Sequence, residues 1–90
     1  LGNLLADAIL WQANRLSPGS ANVAIQNGGG MRSERNEPAG GNLSELFTFD
    51  VAAFDNFVTV VPNVSAGRLK EVLENAYSRV EFADGRFAQI

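Results

Sequence analysis

From Leu1 to Leu16 the apolar residues Leu1, Leu4, Leu5, Ala8, Ile9, Ala13 and Leu16 recur at helical spacing, while Asn3, Asp7, Asn14 and Arg15 fall mostly off that stripe. The pattern predicts an amphipathic helix stopped by Ser17-Pro18-Gly19-Ser20. No Ser, Thr or Asp precedes Leu1 as a cap, so the natural element is expected to begin upstream. Val23-Ala24-Ile25, bounded by turn formers, predicts a short buried strand over 22–26. Residues 33–42 are polar and rich in Gly, an exposed loop, and 43–49 can hold a short helix. Phe57-Val58-Thr59-Val60-Val61 has the strongest strand composition in the chain, with Pro62 confining its end to an edge or a bulge.

After that run, Ser65 can cap a second amphipathic helix whose stripe is Leu69, Val72, Leu73, Ala76 and Val80, with Lys70, Glu71, Glu74 and Asn75 facing water. Glu81 to Ile90 turns at Asp84-Gly85 and enters or approaches another strand. Together these elements predict an α+β fold in which two amphipathic helices pack on a small mixed sheet. All 90 residues form one unit.

Composition narrows what such a unit can do. An apolar fraction of 46% with 19% charged residues is ordinary for a globular chain and argues against wholesale disorder. A formal charge of −3 has the wrong sign for a polymeric nucleic-acid partner, so any anion must be captured by a local site. Neither Cys nor His occurs, which removes disulfides, thiolate metal sites and the commonest acid/base group. No apolar run approaches the roughly 20 residues that span a bilayer. Six Ser residues have no His to activate them, and Glu45, Asp50, Asp55 and Asp84 lack the spacing of a calcium loop. These carboxylates read as solvated loop charges. No catalytic residue and no metal ligand is expected.

Two features remain as candidate binding groups. Asn27-Gly28-Gly29-Gly30-Met31-Arg32 follows an apolar segment, and consecutive glycines let backbone approach a ligand where a Cβ would collide. Asn27 can donate and accept, and Arg32 presents a planar fork to an anion. A plain turn with a solvated guanidinium accounts for the same residues, and the spacing fits neither the P-loop nor the dinucleotide fingerprint. Phe54, ahead of the strong strand, can stack on a base or pack as core.

Leu1-Gly2-Asn3-Leu4-Leu5-Ala6-Asp7-Ala8, then Asn27 to Arg32, then Leu69-Lys70-Glu71-Val72-Leu73-Glu74-Asn75, then Gly85-Arg86-Phe87-Ala88-Gln89 occur in an order that resembles the C-terminal domain of the 5′-nucleotidase and UDP-sugar hydrolase family. The likeness runs from the first residue to the last. It implies residues 1–90 are part of a substrate-binding domain, truncated at both ends. The family domain continues to a Gly-Gly-Asp-Gly-Phe-like loop with a second stacking aromatic. The implied function is nucleotide recognition in a secreted two-metal phosphohydrolase that cleaves phosphate from nucleotides. The divalent metal pair is implied to sit in an N-terminal metallophosphoesterase domain, so the chain alone is expected to hold no cofactor and to be inactive. Asn27 and Arg32 fall on the family's Asn-Gly-Gly-Gly-Ile-Arg motif, whose Asn and Arg contact substrate. Phe54 and Asn56 fall on its Pro-Phe-x-Asn motif, whose Phe stacks on the base.

The implied binding set is therefore Asn27, Gly28, Gly29, Gly30, Arg32, Phe54 and Asn56. Ala53 stands where the family usually has Pro, which leaves open a non-catalytic nucleoside- or nucleotide-binding or interaction module of the same fold. The resemblance further implies a periplasmic, secreted or cell-surface location. Missing partner strands would leave sheet edges open to homo-oligomer formation.

Overall fold

A computed structural model describes residues 1–32, 42, 44–54 and 57–90. Its elements are helix α1 (Gly2–Leu16), strand β1 (Gln26–Asn27), helix α2 (Glu45–Val51), helix α3 (Ala66–Tyr77) and strand β2 (Ala88–Gln89). Short 3₁₀ turns occupy Gly28–Gly30 and Val80–Phe82. The class is α+β, and the described sheet is a two-stranded antiparallel pair in which Gln26 faces Gln89 and Asn27 faces Ala88. Helix α1 packs against both strands and α3 against β2. Among the described residues the buried apolar ones are Ala6, Val51, Ala76 and Ala88, one from each of α1, α2, α3 and β2. Small side chains at three of these positions let the elements approach closely.

The helices form for local reasons. Ser65 accepts a hydrogen bond from the Arg68 amide at 3.2 Å and so satisfies one of the unpaired donors of the first turn of α3. Ser44 caps α2 in the same way through the Phe47 amide at 3.1 Å. Helix α1 has no side-chain cap at Leu1. Its C-terminal end is held instead by Asn14, whose amide nitrogen donates to the Ala21 carbonyl at 3.0 Å and whose oxygen accepts from the Ala21 amide at 3.1 Å. The Ser20 hydroxyl donates to the Ala13 carbonyl, and Gly19 turns the chain at a φ of +73°. This clasp folds residues 17–21 back onto the helix.

Two predicted strands differ from what forms. Residues 57–61 are not in a strand, and Phe57 is 100% exposed. β-Propensity expresses itself only where a neighbouring strand and a face to bury exist, and among the described residues this run has no such partner. The strand predicted over 22–26 begins only at Gln26, and Val23 and Ile25 are exposed, because β2 supplies partners for Gln26 and Asn27 alone. The stripe of the second amphipathic helix is also shorter than its spacing suggests. Helix α3 ends at Tyr77, so Val80 lies in the following 3₁₀ turn and is exposed.

Tyr77 fixes the last turn of α3 to β2. Its hydroxyl donates to the Ala88 carbonyl at 3.0 Å, and its ring meets Phe87 edge-on with centroids 4.9 Å apart.

Candidate functional site

Strand β1 delivers Asn27 to the start of the glycine turn. The Gly28 amide donates to the Phe87 carbonyl at 2.6 Å and the Gly29 amide to the Gly85 carbonyl at 2.8 Å. Glycine is favoured here by the close approach of the protein's own backbone. A Cβ on Gly29 would stand 3.1 Å from the Gly85 Cα and 3.2 Å from its carbonyl oxygen, tighter than ordinary contact with atoms that cannot swing away. Two of the loop's amides are thus committed to the 84–87 turn. The Asn27 side chain is engaged as well, accepting from Gln26 Nε2 at 3.2 Å and donating to the Gly85 carbonyl at 3.4 Å.

Arg32 leaves the glycine turn with its backbone amide bound to the Val51 carbonyl at 2.7 Å, which brings the C-terminal end of α2 alongside the loop. Phe54 follows three residues later. The Arg32 guanidinium lies over the Phe54 ring, 6.0 Å from its centroid. At an exposed position such a contact contributes about 0.5–1 kcal/mol. Phe54 is 53% exposed, so ring surface remains open to solvent. The geometry brings a planar cation and an aromatic face together on one exposed surface, with Asn27 and Gly28–Gly30 preceding Arg32 in the chain. A flat heterocycle with polar edges is the kind of ligand those groups suit. Asn56 lies outside the described residues.

Sequence reasoning missed the element that supports this surface. Asp84, read there as a solvated loop charge, is half-buried and organises the turn behind the glycines. Its Oδ1 accepts from the backbone amide and from Nε of Arg86, both at 3.0 Å, and Arg79 Nε lies 3.3 Å from its Oδ2. The hydrogen bond from the Arg86 backbone lowers the Asp84 carboxyl below its ordinary value. The Arg86 side-chain bond and the charges of Arg86 and Arg79 add to this, against a smaller opposing effect of desolvation. The available signal was the Asp84-Gly85 dipeptide between Phe82 and Phe87.

Among the described residues no group of three or more Asp or Glu side chains could hold a metal ion. No described helix is long and apolar enough to cross a membrane. Two surface depressions lie away from the glycine turn. One of about 480 Å³ is bounded by Asp7, Leu10, Trp11, Asn14 and Arg15, all on α1, and is an open groove along one helix. A second, of about 140 Å³, lies between α1 and residues 22–24 near Ile90. Neither depression is lined by the glycine turn, Arg32 or Phe54.

Comparison with known proteins bears on what this surface serves. The family described as "5′-nucleotidase, C-terminal domain" matches residues 1–90. The trifunctional nucleotide phosphoesterase protein YfkN of Bacillus subtilis (strain 168) is 33% identical over 90 residues, covering 100% of this chain and 6% of that protein. No solved structure matches the chain significantly. With the match extending over every residue from Leu1 to Ile90, the chain belongs to the 5′-nucleotidase C-terminal domain family.

Proposed function

We propose that this chain supplies part of the nucleotide-recognition surface of a larger nucleotide phosphoesterase, with Arg32 and Phe54 as its main contacts. The observation that carries the reading is the placement of the Arg32 guanidinium over the Phe54 ring. Two features far apart in the sequence meet on one exposed surface. In the bound state Phe54 stacks on the base, while Arg32 and Asn27 bind polar edges of the nucleoside and orient it. The committed amides of Gly28 and Gly29 give these glycines a supporting role in the proposal, with the side chains making the contacts.

Hydrolysis belongs to another domain in this reading. No step of bond cleavage is assigned to the described residues. The proposal includes an N-terminal metallophosphoesterase domain that holds two divalent metals, export to the periplasm, cell surface or medium, and inactivity of the 90-residue chain alone. Ala53 in place of the family's usual Pro favours a second reading, a binding module without associated catalysis.

A thermal-shift titration of the full-length polypeptide with adenosine, AMP and inorganic phosphate tests the recognition reading. Stabilisation by adenosine and AMP beyond that by phosphate is expected. A flat response to both nucleoside-bearing ligands would overturn it.

A further inference from the structure

Three glycines in succession lose more backbone freedom on ordering than any other tripeptide, so a recognition loop built from them needs an external support to hold one geometry. The support in this chain comes from residues far along the sequence. Gly28 and Gly29 donate to the Phe87 and Gly85 carbonyls, and the Asn27 amide group donates to the same Gly85 carbonyl across 58 residues of chain. The two backbones cross at Gly29 and Gly85, where a Cβ on Gly85 would stand 3.2 Å from the Gly29 Cα.

The supporting turn is itself held in shape. The Phe87 amide donates to the Asp84 carbonyl at 3.3 Å, and Ala83 leads into the turn with a φ of +51°, a conformation uncommon for a residue with a Cβ. Asp84 then gathers the Arg86 backbone amide, the Arg86 side chain and Arg79 around one carboxylate. Arg79 comes from the segment after α3 and Arg86 from the turn. The carboxylate therefore locks the turn to the end of the helix as well as to itself.

We propose that the Asp84–Phe87 turn is the positioning element of the recognition loop: Asp84 fixes the turn, and the turn fixes Asn27 and the glycines that lead to Arg32. Asp84 and Gly85 set affinity for the nucleotide without touching it. The inference rests on the reading of Asn27 to Arg32 as a recognition surface. Asn27, Gly28 and Gly29 are all bonded to this turn, so a shift at the crossing is passed to the whole loop.

The test uses the full-length polypeptide and calorimetric titration with AMP in the presence of a chelator to suppress turnover. Arg32→Ala is the reference, with Asp84→Ala, Asp84→Asn and Gly85→Ala as the probes, and each variant's melting temperature is recorded beside its affinity. Asp84→Ala and Gly85→Ala are expected to weaken AMP binding about tenfold with melting within about 2 °C of wild type. Asp84→Asn retains an acceptor oxygen for the Arg86 amide and is expected to recover most of the affinity, remaining within about threefold. Should Asp84→Ala fail to fold, Gly85→Ala decides by the same thresholds.

Affinity within twofold of wild type in Gly85→Ala and Asp84→Ala, while Arg32→Ala binds at least tenfold more weakly, would overturn the positioning role and leave the recognition reading standing. Loss of affinity only in proportion to lost melting temperature would reduce the turn to a folding element and overturn it likewise. Unchanged affinity in Arg32→Ala would remove the recognition reading and this inference with it.

Discussion

Replacing Asn14 by Ala removes the clasp between α1 and the segment leading to the glycine turn. Asn14 makes two hydrogen bonds with Ala21, at 3.0 and 3.1 Å, and its third, to the Leu10 carbonyl at 3.2 Å, lies within its own helix. The two bridging bonds contribute about 1 kcal/mol each. Alanine is the better helix former by about 0.5 kcal/mol, which offsets part of the loss. The net effect is about 1.5 kcal/mol, or roughly tenfold in the local opening equilibrium of residues 17–21. Hydrogen exchange read by mass spectrometry on the full-length polypeptide should show the Ala21 amide exchanging about tenfold faster in Asn14→Ala. Asn14→Asp keeps the acceptor for that amide and loses the donor, so its exchange should fall between the two. An Ala21 rate within twofold of wild type in Asn14→Ala would refute the clasp.

Other consequences follow from the same contacts. Tyr77→Phe deletes the bond to the Ala88 carbonyl while keeping the ring against Phe87, and should cost about 1 kcal/mol in urea unfolding of the folded unit. No change in the midpoint would contradict the anchoring of β2 by α3. Because Asp84 is held below its ordinary value, its contribution to stability is present above the pKa of an unfolded Asp, about 3.9, and is lost as pH falls through the lower folded value. A carboxyl titration followed by NMR should place its midpoint below 3.9 and move it upward in Arg86→Ala; a midpoint at or above 3.9 would contradict the assignment. The 90-residue chain, with Phe57 fully exposed and a sheet of only two strands among the described residues, should associate at high concentration in light scattering. A monomer throughout would count against pairing through those surfaces.

What the sequence revealed and what it hid divide along the range of the interactions involved. Helix α3 was legible because its cap, Ser65, and its buried Ala76 are fixed within a few turns of one another. The final strand was legible from the turn residues Asp84-Gly85 ahead of it. The run 57–61 misled because β-branched residues record a fitness for sheets and not the presence of a partner. The glycine turn and Phe54 each stood out separately as candidates. Their meeting depends on the Arg32 amide reaching the Val51 carbonyl, a contact no local pattern encodes. The same holds for the Asp84–Phe87 turn, whose Gly85 meets Asn27 across 58 residues of chain, a contact that appears only when both backbones are in place. Local propensity identified the groups, and long-range pairing brought them together.

The account stands most directly on the joint role of Arg32 and Phe54, and the affinity of the full-length polypeptide for adenosine measures it. Calorimetric titration of wild type, Arg32→Ala, Phe54→Ala and the double variant should show each single change weakening binding about tenfold. The double variant should lose less than the product of the two, because the guanidinium and the ring act as one stacked unit. Adenosine affinity unchanged in both single variants would contradict the claim that this surface recognises the nucleoside.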